Sequence, residues 1–189
     1  MRKFFLFVWE IVKVVVISLA IILQVRYYLI QPFYVKGTSM EPNFHDGQYL
    51  IIDEISYRFQ APQRGQVIVF RYPLDPQEYF IKRVIGLPGD TVKVADNKVE
   101  IFNTAHPNGF FLDESYIPAG VPTESEGFQQ VTVGANQYFV LGDNRTASKD
   151  SRYFGTVDKS FLIGKVLFRG WPLNQITLFT PGSWPQYNN

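Results

Sequence analysis

Phe80-Ile81-Lys82-Arg83-Val84-Ile85-Gly86-Leu87-Pro88-Gly89-Asp90, running on into Thr91-Val92-Lys93-Val94, is the stretch that decides the fold. An apolar run of strand length, Tyr79 to Ile85, stops at Leu87-Pro88-Gly89-Asp90, and a second run starts at Thr91. Pro and Gly between two such runs mark a turn between strands. The same punctuation recurs on both sides. Tyr49 to Ile52, Val67 to Tyr72, Val99 to Phe102, Val131 to Val133, Tyr138 to Leu141 and Leu162 to Arg169 read as further strands. Many short strands bounded by Gly, Pro, Asn and Asp predict a mainly β fold of antiparallel sheets. Only Asp158 to Leu162 reads as a short helical turn. The segment from Asn103 to Gln130 is richer in Gly, Pro, Ser and acidic residues. It reads as an excursion from the core, pinned by Phe110, Phe111, Tyr116 and Ile117. There is no internal repeat and no low-complexity tract.

Before Pro32 the pattern is different. Phe4 to Ile30 is mostly apolar, interrupted by Glu10, Lys13 and Arg26. About 20 apolar residues cross a bilayer as a helix. Glu10 and Lys13 share a helix face, and Lys13 can snorkel. These features place one transmembrane helix at about residues 5–25, in an anchor of residues 1–30. A cleaved leader and a buried soluble helix are the competing readings. Ser18-Leu19-Ala20 is small-x-small, but Ile21-Ile22-Leu23 continues the apolar run. Arg2 and Lys3 favour a cytoplasmic N-terminus, which would put residues 31–189 outside the cytoplasm. Arg26 and Lys36 on the far side weaken that orientation signal.

Composition closes off several function classes. The chain has 189 residues and a net charge of +1, which implies no strong field for nucleic acid. It has no Cys, so disulfides, a Cys nucleophile and thiolate metal sites are excluded. With two His, a His-rich metal site is not expected, and neither is a cofactor. Aromatics at 16% favour β structure and membrane-edge surfaces. Nothing in the sequence suggests a subunit interface, so a monomer is expected.

Chemistry is carried by three stretches. Gly37-Thr38-Ser39-Met40-Glu41-Pro42 presents a small Ser in a turn. A hydroxyl is a nucleophile at neutral pH only with a base beside it, and alone Ser39 reads as a turn cap. Lys82 lies inside an apolar strand, on the same side as Phe80, with Ile81 and Arg83 on the other. Holding it neutral near pH 8 costs the charged form about 3 kcal/mol, which burial can supply. Alone it reads equally as an edge-strand Lys that discourages aggregation. Tyr138 to Phe154 ends an apolar strand in Gly142-Asp143-Asn144, and then places Arg145, Ser148, Asp150 and Arg152 within a few residues. That is a plain polar loop or an ion-pair platform behind a site, with Ser148 placed to hold an amine. His45-Asp46 lies close to Ser39, but no Gly-x-Ser-x-Gly elbow supports a His-based triad.

Together these stretches resemble type I signal peptidases. The matching pieces, in order, begin with Gln31-Pro32-Phe33 leading to Gly37 through Pro42. Arg64-Gly65-Gln66-Val67-Ile68-Val69-Phe70 and Lys82 through Asp90 follow. The last runs from Gly142-Asp143-Asn144-Arg145 through Ser148, Asp150, Ser151 and Arg152. Residues from about 96 to 130 match least. The resemblance implies a signal-peptidase-like β domain with Ser39 as nucleophile and Lys82 as general base. It implies that Ser148 positions the Lys amine and that Asp143–Arg83 and Asp150–Arg152 pair behind it. The Ser39 N–H would serve an oxyanion hole. Some members add a hydroxyl two positions before the nucleophile, where this chain has Gly37. Phe33, Val35, Phe44 and Ile81 would line shallow pockets for small side chains.

The implied reaction is hydrolysis after the Ala-x-Ala ends of secretory signal peptides, by acyl transfer and without metal or nucleotide. The implied partners are secretory preproteins and the lipid bilayer, with the aromatic surface around Phe33 and Tyr34 at the bilayer. The implied location is the cytoplasmic (inner) membrane. Two alternatives stay open: a related Ser/Lys maturation protease with a narrow substrate, and a non-catalytic membrane-anchored peptide-binding β domain.

Overall fold

The computed structural model describes residues 2–28, 30–125, 127, 129–185 and 187; the side chains of 24–31, including Arg26 and Gln31, lie outside the described part. The chain opens with a helix, α1 (Arg2–Tyr28). Its stretch Arg2–Leu23 is long and apolar enough to cross a membrane, by length and composition, and none of it is buried against the rest of the chain. Within it Glu10 and Lys13 form an ion pair, Lys13 Nζ lying 2.6 Å from Glu10.

Among the described residues twelve strands follow, all paired antiparallel. The first half of the β region holds β1 (Ile30–Tyr34), β2 (Tyr49–Asp53), the helical turn α2 (Ser56–Phe59), β3 (Val67–Tyr72) and β4 (Asp75–Gly86). β5 (Thr91–Ala95), β6 (Lys98–Phe102), β7 (Phe110–Phe111) and β8 (Gln130–Thr132) come next. β9 (Gln137–Leu141), the turn α3 (Ser151–Phe154), β10 (Val157–Asp158), β11 (Leu162–Trp171) and β12 (Thr177–Leu178) complete the chain. The larger sheet runs β1-β2-β11-β3-β4-β9-β10, with β12 added to β11. The smaller runs β7-β6-β5-β8.

β3 shows why this sequence makes this sheet. Val67 and Val69 enter a core with Leu50, Ile52, Ile81 and Val166, while Ile68 and Phe70 enter another with Val84, Tyr138 and Val140. Both faces are covered, so the strand is apolar without alternation. Gly86 sits where β4 turns towards the smaller sheet, and a Cβ there would overlap Val92, Val133 and Phe139. Absence of a side chain lets the two sheets share a core built from Ile85, Val92, Val133 and Phe139.

Several sequence expectations change. The excursion expected from Asn103 to Gln130 returns to the smaller sheet, where β7 pairs with β6. Phe110 and Tyr116 pack on its core, but Phe111 is exposed and pins nothing. β1, β7, β10 and β12 are strands that the pattern did not show. The helical turn expected at 158–162 is a 3₁₀ turn, Lys159–Phe161, capped by Asp158.

Candidate active site

Ser39 stands on the loop that leaves β1. Met40 and Phe44 sink into the core on either side of the bend and fix its course. Gly37 takes φ +90°, a left-handed conformation that side chains disfavour, and its N–H donates to Asp46 Oδ1 at 2.7 Å. A second loop clasps this one from outside: Asn144 N–H donates to the Ser39 carbonyl, and Asn144 Nδ2 to the Thr38 carbonyl, both at 3.1 Å. The contact is so close that a Cβ on Gly142 would overlap the Ser39 carbonyl and the Ser148 side chain. Among the described residues no acceptor takes the Ser39 N–H.

Lys82 comes from β4, opposite Ile68 of β3. Its Nζ lies 2.7 Å from Ser39 Oγ and donates to the Ile81 carbonyl at 2.9 Å. The residue is 3% exposed. Burial lowers its pKa from 10.5 to about 8, against the pull of Asp150 and Asp143, which favour the charge. Among the described residues, no carboxylate forms an ion pair with this amine.

The charges behind it are fully engaged. Arg83, the next residue on β4, donates from Nε and Nη2 to the two oxygens of Asp143 at 2.8 and 2.6 Å. Arg152 makes the equivalent fork to Asp150, at 2.9 Å for each bond, and Asp150 also accepts the Gly142 N–H. Such planar forks fix the carboxylates in orientation as well as position.

The Ser148 hydroxyl, in contrast, makes no hydrogen bond to Lys82 or to any other partner among the described residues. The residue is 6% exposed and packs against Gly142, so its place beside the amine loop is set by close approach and not by a hydrogen bond. Of the expected pocket residues, Phe33 and Ile81 line a groove of about 560 Å³ that ends at Ser39 and Lys82. Val35 and Phe44 do not. At 1% exposure they lie in the core behind Ile81, because the loop turns them inward together with Met40. His45 faces Glu41 at 3.5 Å, and Asp46 is occupied with Gly37, so no His-based triad forms. Among the described residues no cluster of three metal-binding side chains occurs.

Residues that the sequence did not single out complete the platform. Tyr116 lies under Arg83, ring centroid 4.1 Å from the guanidinium carbon, and its hydroxyl accepts from Arg145 at 3.0 Å. Asn43 Nδ2 bridges the Tyr116 carbonyl at 2.7 Å and Asp143 at 2.8 Å. Arg145 also reaches Thr123 at 2.8 Å and pairs with Glu114. The least matched segment is therefore bolted to the back of the site. Only the fold brings Tyr116 to residues 29 and 73 positions away.

The matches to known proteins fit this geometry. The family model described as "Signal peptidase, peptidase S26" matches residues 8–171.

The chain belongs to the signal peptidase family S26.

It is 38% identical to a probable signal peptidase I-2 of Synechocystis sp., over 90% of this chain and 77% of that one. It is 37% identical to a signal peptidase I of Leptolyngbya laminosa, over 88% and 81%. Signal peptidase IB of Staphylococcus aureus is 30% identical, over 85% and 88%. A crystal structure of a signal peptidase I from Enterococcus faecalis V583 has 36% identity and a TM-score of 0.46, covering 56% of this chain and 97% of that one. Signal peptidases of this family are serine peptidases, and the apolar N-terminal helix fits their anchoring in a membrane.

Proposed function

We propose that this signal peptidase works through a Ser39/Lys82 dyad and cuts after Ala-x-Ala-type ends of secretory signal peptides. The observation that carries the reading is the 2.7 Å contact between Ser39 Oγ and a buried Lys82 amine. A neutral amine there accepts the Ser39 proton as Oγ attacks the scissile carbonyl. The resulting ammonium gives its proton to the leaving amine. Water then enters, loses a proton to the same amine and hydrolyses the ester, and Ser39 leaves with its proton restored. The unshared Ser39 N–H serves the developing oxyanion. The Gly37 N–H is held by Asp46, and Gly37 has no side chain to donate. The paired Asp143–Arg83 and Asp150–Arg152 hold the loop and strand from behind.

Substrate shape follows from the sheet. β9 pairs with β4 only from Arg83 onward, so residues 79–82 have β3 on one side and an open edge on the other. That edge and the Phe33–Ser39 segment form the two sides of the groove. An extended peptide can add to such an edge. We infer that Phe33 and Ile81, which line the groove beside the dyad, favour small side chains there.

The proposed setting is the cytoplasmic (inner) membrane. α1 spans it once with its N-terminus inside, and residues 31–189 stand outside the cytoplasm as a monomer. Tyr34, Tyr49 and Trp171 support contact with the bilayer: they lie in register across β1, β2 and β11 and are half exposed. Interfacial aromatics of this kind favour the headgroup level.

The test is cleavage of a preprotein with an Ala-x-Ala end by the full chain in detergent, with products identified by mass. A single cut after the second Ala, lost in both Ser39→Ala and Lys82→Ala, is expected. Unchanged cleavage in both variants would refute the dyad. Binding without cleavage by the wild type would favour the non-catalytic peptide-binding alternative.

A further inference from the structure

Arginines withdrawn from water in this protein lie against carboxylates. Arg64 meets Asp90, Arg83 meets Asp143, Arg145 meets Glu114 and Arg152 meets Asp150. Arg169 on β11 departs from the rule. Its guanidinium lies beside the paired rings of Phe44 and Phe179, at 5.0 and 5.5 Å from their centroids. One Nη2 hydrogen goes to the Asn43 carbonyl at 2.6 Å. Nε is enclosed and has no acceptor, and no carboxylate among the described residues pairs with the group. Burial lowers its pKa from the usual arginine range, the signature of a cation without a counter-charge.

A pocket of about 120 Å³ opens beside it. Arg169, Arg83, Asn43 and Ser183 line its polar side, opposite aromatic rings that include Phe179 and Trp184, with no Asp or Glu in the lining. Asp143 neutralises Arg83 from the far side, which leaves Arg169 as the uncompensated charge. At about 30 Å³ per water, the space takes about four waters. That suits one tetrahedral oxyanion and excludes a nucleotide or a peptide.

We propose that this pocket is an anion site for a phosphate-type oxyanion, free or carried by an anionic lipid headgroup, with Arg169 as its principal ligand. With Nε enclosed and one Nη2 hydrogen given to Asn43, the planar guanidinium offers its remaining Nη hydrogens as a fork, a geometry that suits such oxygens. The site lies behind the groove and is separate from it, since the groove and this pocket share no lining residue.

The test uses the full chain in maltoside micelles, which carry no phosphate. Inorganic phosphate is titrated at constant ionic strength, with binding read by ³¹P line width. In a second arm, without phosphate, the micelles are doped with phosphatidylglycerol, and binding is read by the ³¹P line width of the lipid headgroup. Saturable one-to-one binding is expected, weakened about tenfold or more in Arg169→Gln. If only the doped micelles bind, and do so through Arg169, the lipid headgroup is the natural source. Absence of binding in both arms, or equal binding by Arg169→Gln, would overturn the proposal. Should that variant fail to fold, Arg169→Lys keeps the charge and loses the fork. Its affinity for phosphate is expected to fall severalfold, and an unchanged affinity would overturn the proposal as well.

Discussion

Replacing Lys82 by Met removes a cation that folding has to pull out of water. The Lys82 pKa is 10.5 when free and about 8 in place. Each pKa unit is worth about 1.4 kcal/mol, so holding the ammonium in the folded protein costs about 3 kcal/mol. The sign follows from proton binding. Below pH 8 both folded and unfolded chains carry the proton, and the folded state bears the whole cost. Between pH 8 and 10.5 the unfolded chain binds more protons than the folded one, so wild-type stability rises with pH through this window. Above it, the cost is gone. Lys82→Met never bears it. Loss of the bonds to Ser39 and the Ile81 carbonyl offsets roughly 1 kcal/mol for each bond. Near pH 7 the Met variant is therefore expected to be about 1–2 kcal/mol more stable than wild type, with the difference reversing by pH 11. Urea unfolding of the full chain in detergent, followed by fluorescence of the buried Trp184, reads it at each pH. Using the difference between the two proteins cancels titrations that they share. A difference that stays constant from pH 7 to 11 would refute the claim that burial depresses this amine.

Three further outcomes follow from the platform behind the dyad. Asp143→Asn takes away a charge that favours the Lys82 ammonium, so the acid limb of the cleavage rate moves to lower pH, while the unpaired Arg83 costs the fold about 3–5 kcal/mol; pH–rate profiles and urea melts check the two parts separately. Gly142→Ala drives a methyl into the Ser39 carbonyl and Ser148, so kcat falls at least tenfold while circular dichroism keeps its β signal; wild-type activity would contradict the close approach. Tyr116→Phe keeps the ring under Arg83 but loses the hydroxyl that Arg145 uses, and should cost about 1–2 kcal/mol of stability with a small effect on kcat, whereas Tyr116→Ala should also lower kcat by loosening Arg83.

The sequence made some parts of this molecule plain and hid others for physical reasons. Val67–Tyr72 was legible to the residue because both its faces are buried. β4 was legible only from Tyr79: its first residues, Asp75–Glu78, are exposed and polar, and pairing with β3 alone extends the strand to them. β1 was concealed by Pro32 and by continuity with the apolar helix, although an edge strand tolerates a proline. Two-residue strands such as β7, β10 and β12 have no periodicity to read. At the site, Ser39 and Lys82 stand in local patterns that carry recognisable chemistry. Asn43, Glu114, Tyr116 and Thr123 gain their places only through partners 22 to 100 residues away, and no local pattern encodes that. Val35 and Phe44 show the converse: apolar residues near a nucleophile look like pocket walls in sequence, and the turn of the loop sends them to the core.

The most direct test of the account is the pH dependence of the first turnover, with the full chain in excess over a preprotein in detergent from pH 6 to 10. With Lys82 at about 8, roughly one molecule in ten has the neutral amine at pH 7, and the rate should climb to a plateau with a midpoint near 8. Lys82→Ala should show no such limb and no cleavage in the first turnover. A profile that is flat from pH 6 to 10, or a limb that survives in Lys82→Ala, would contradict the assignment of Lys82 as the base that activates Ser39.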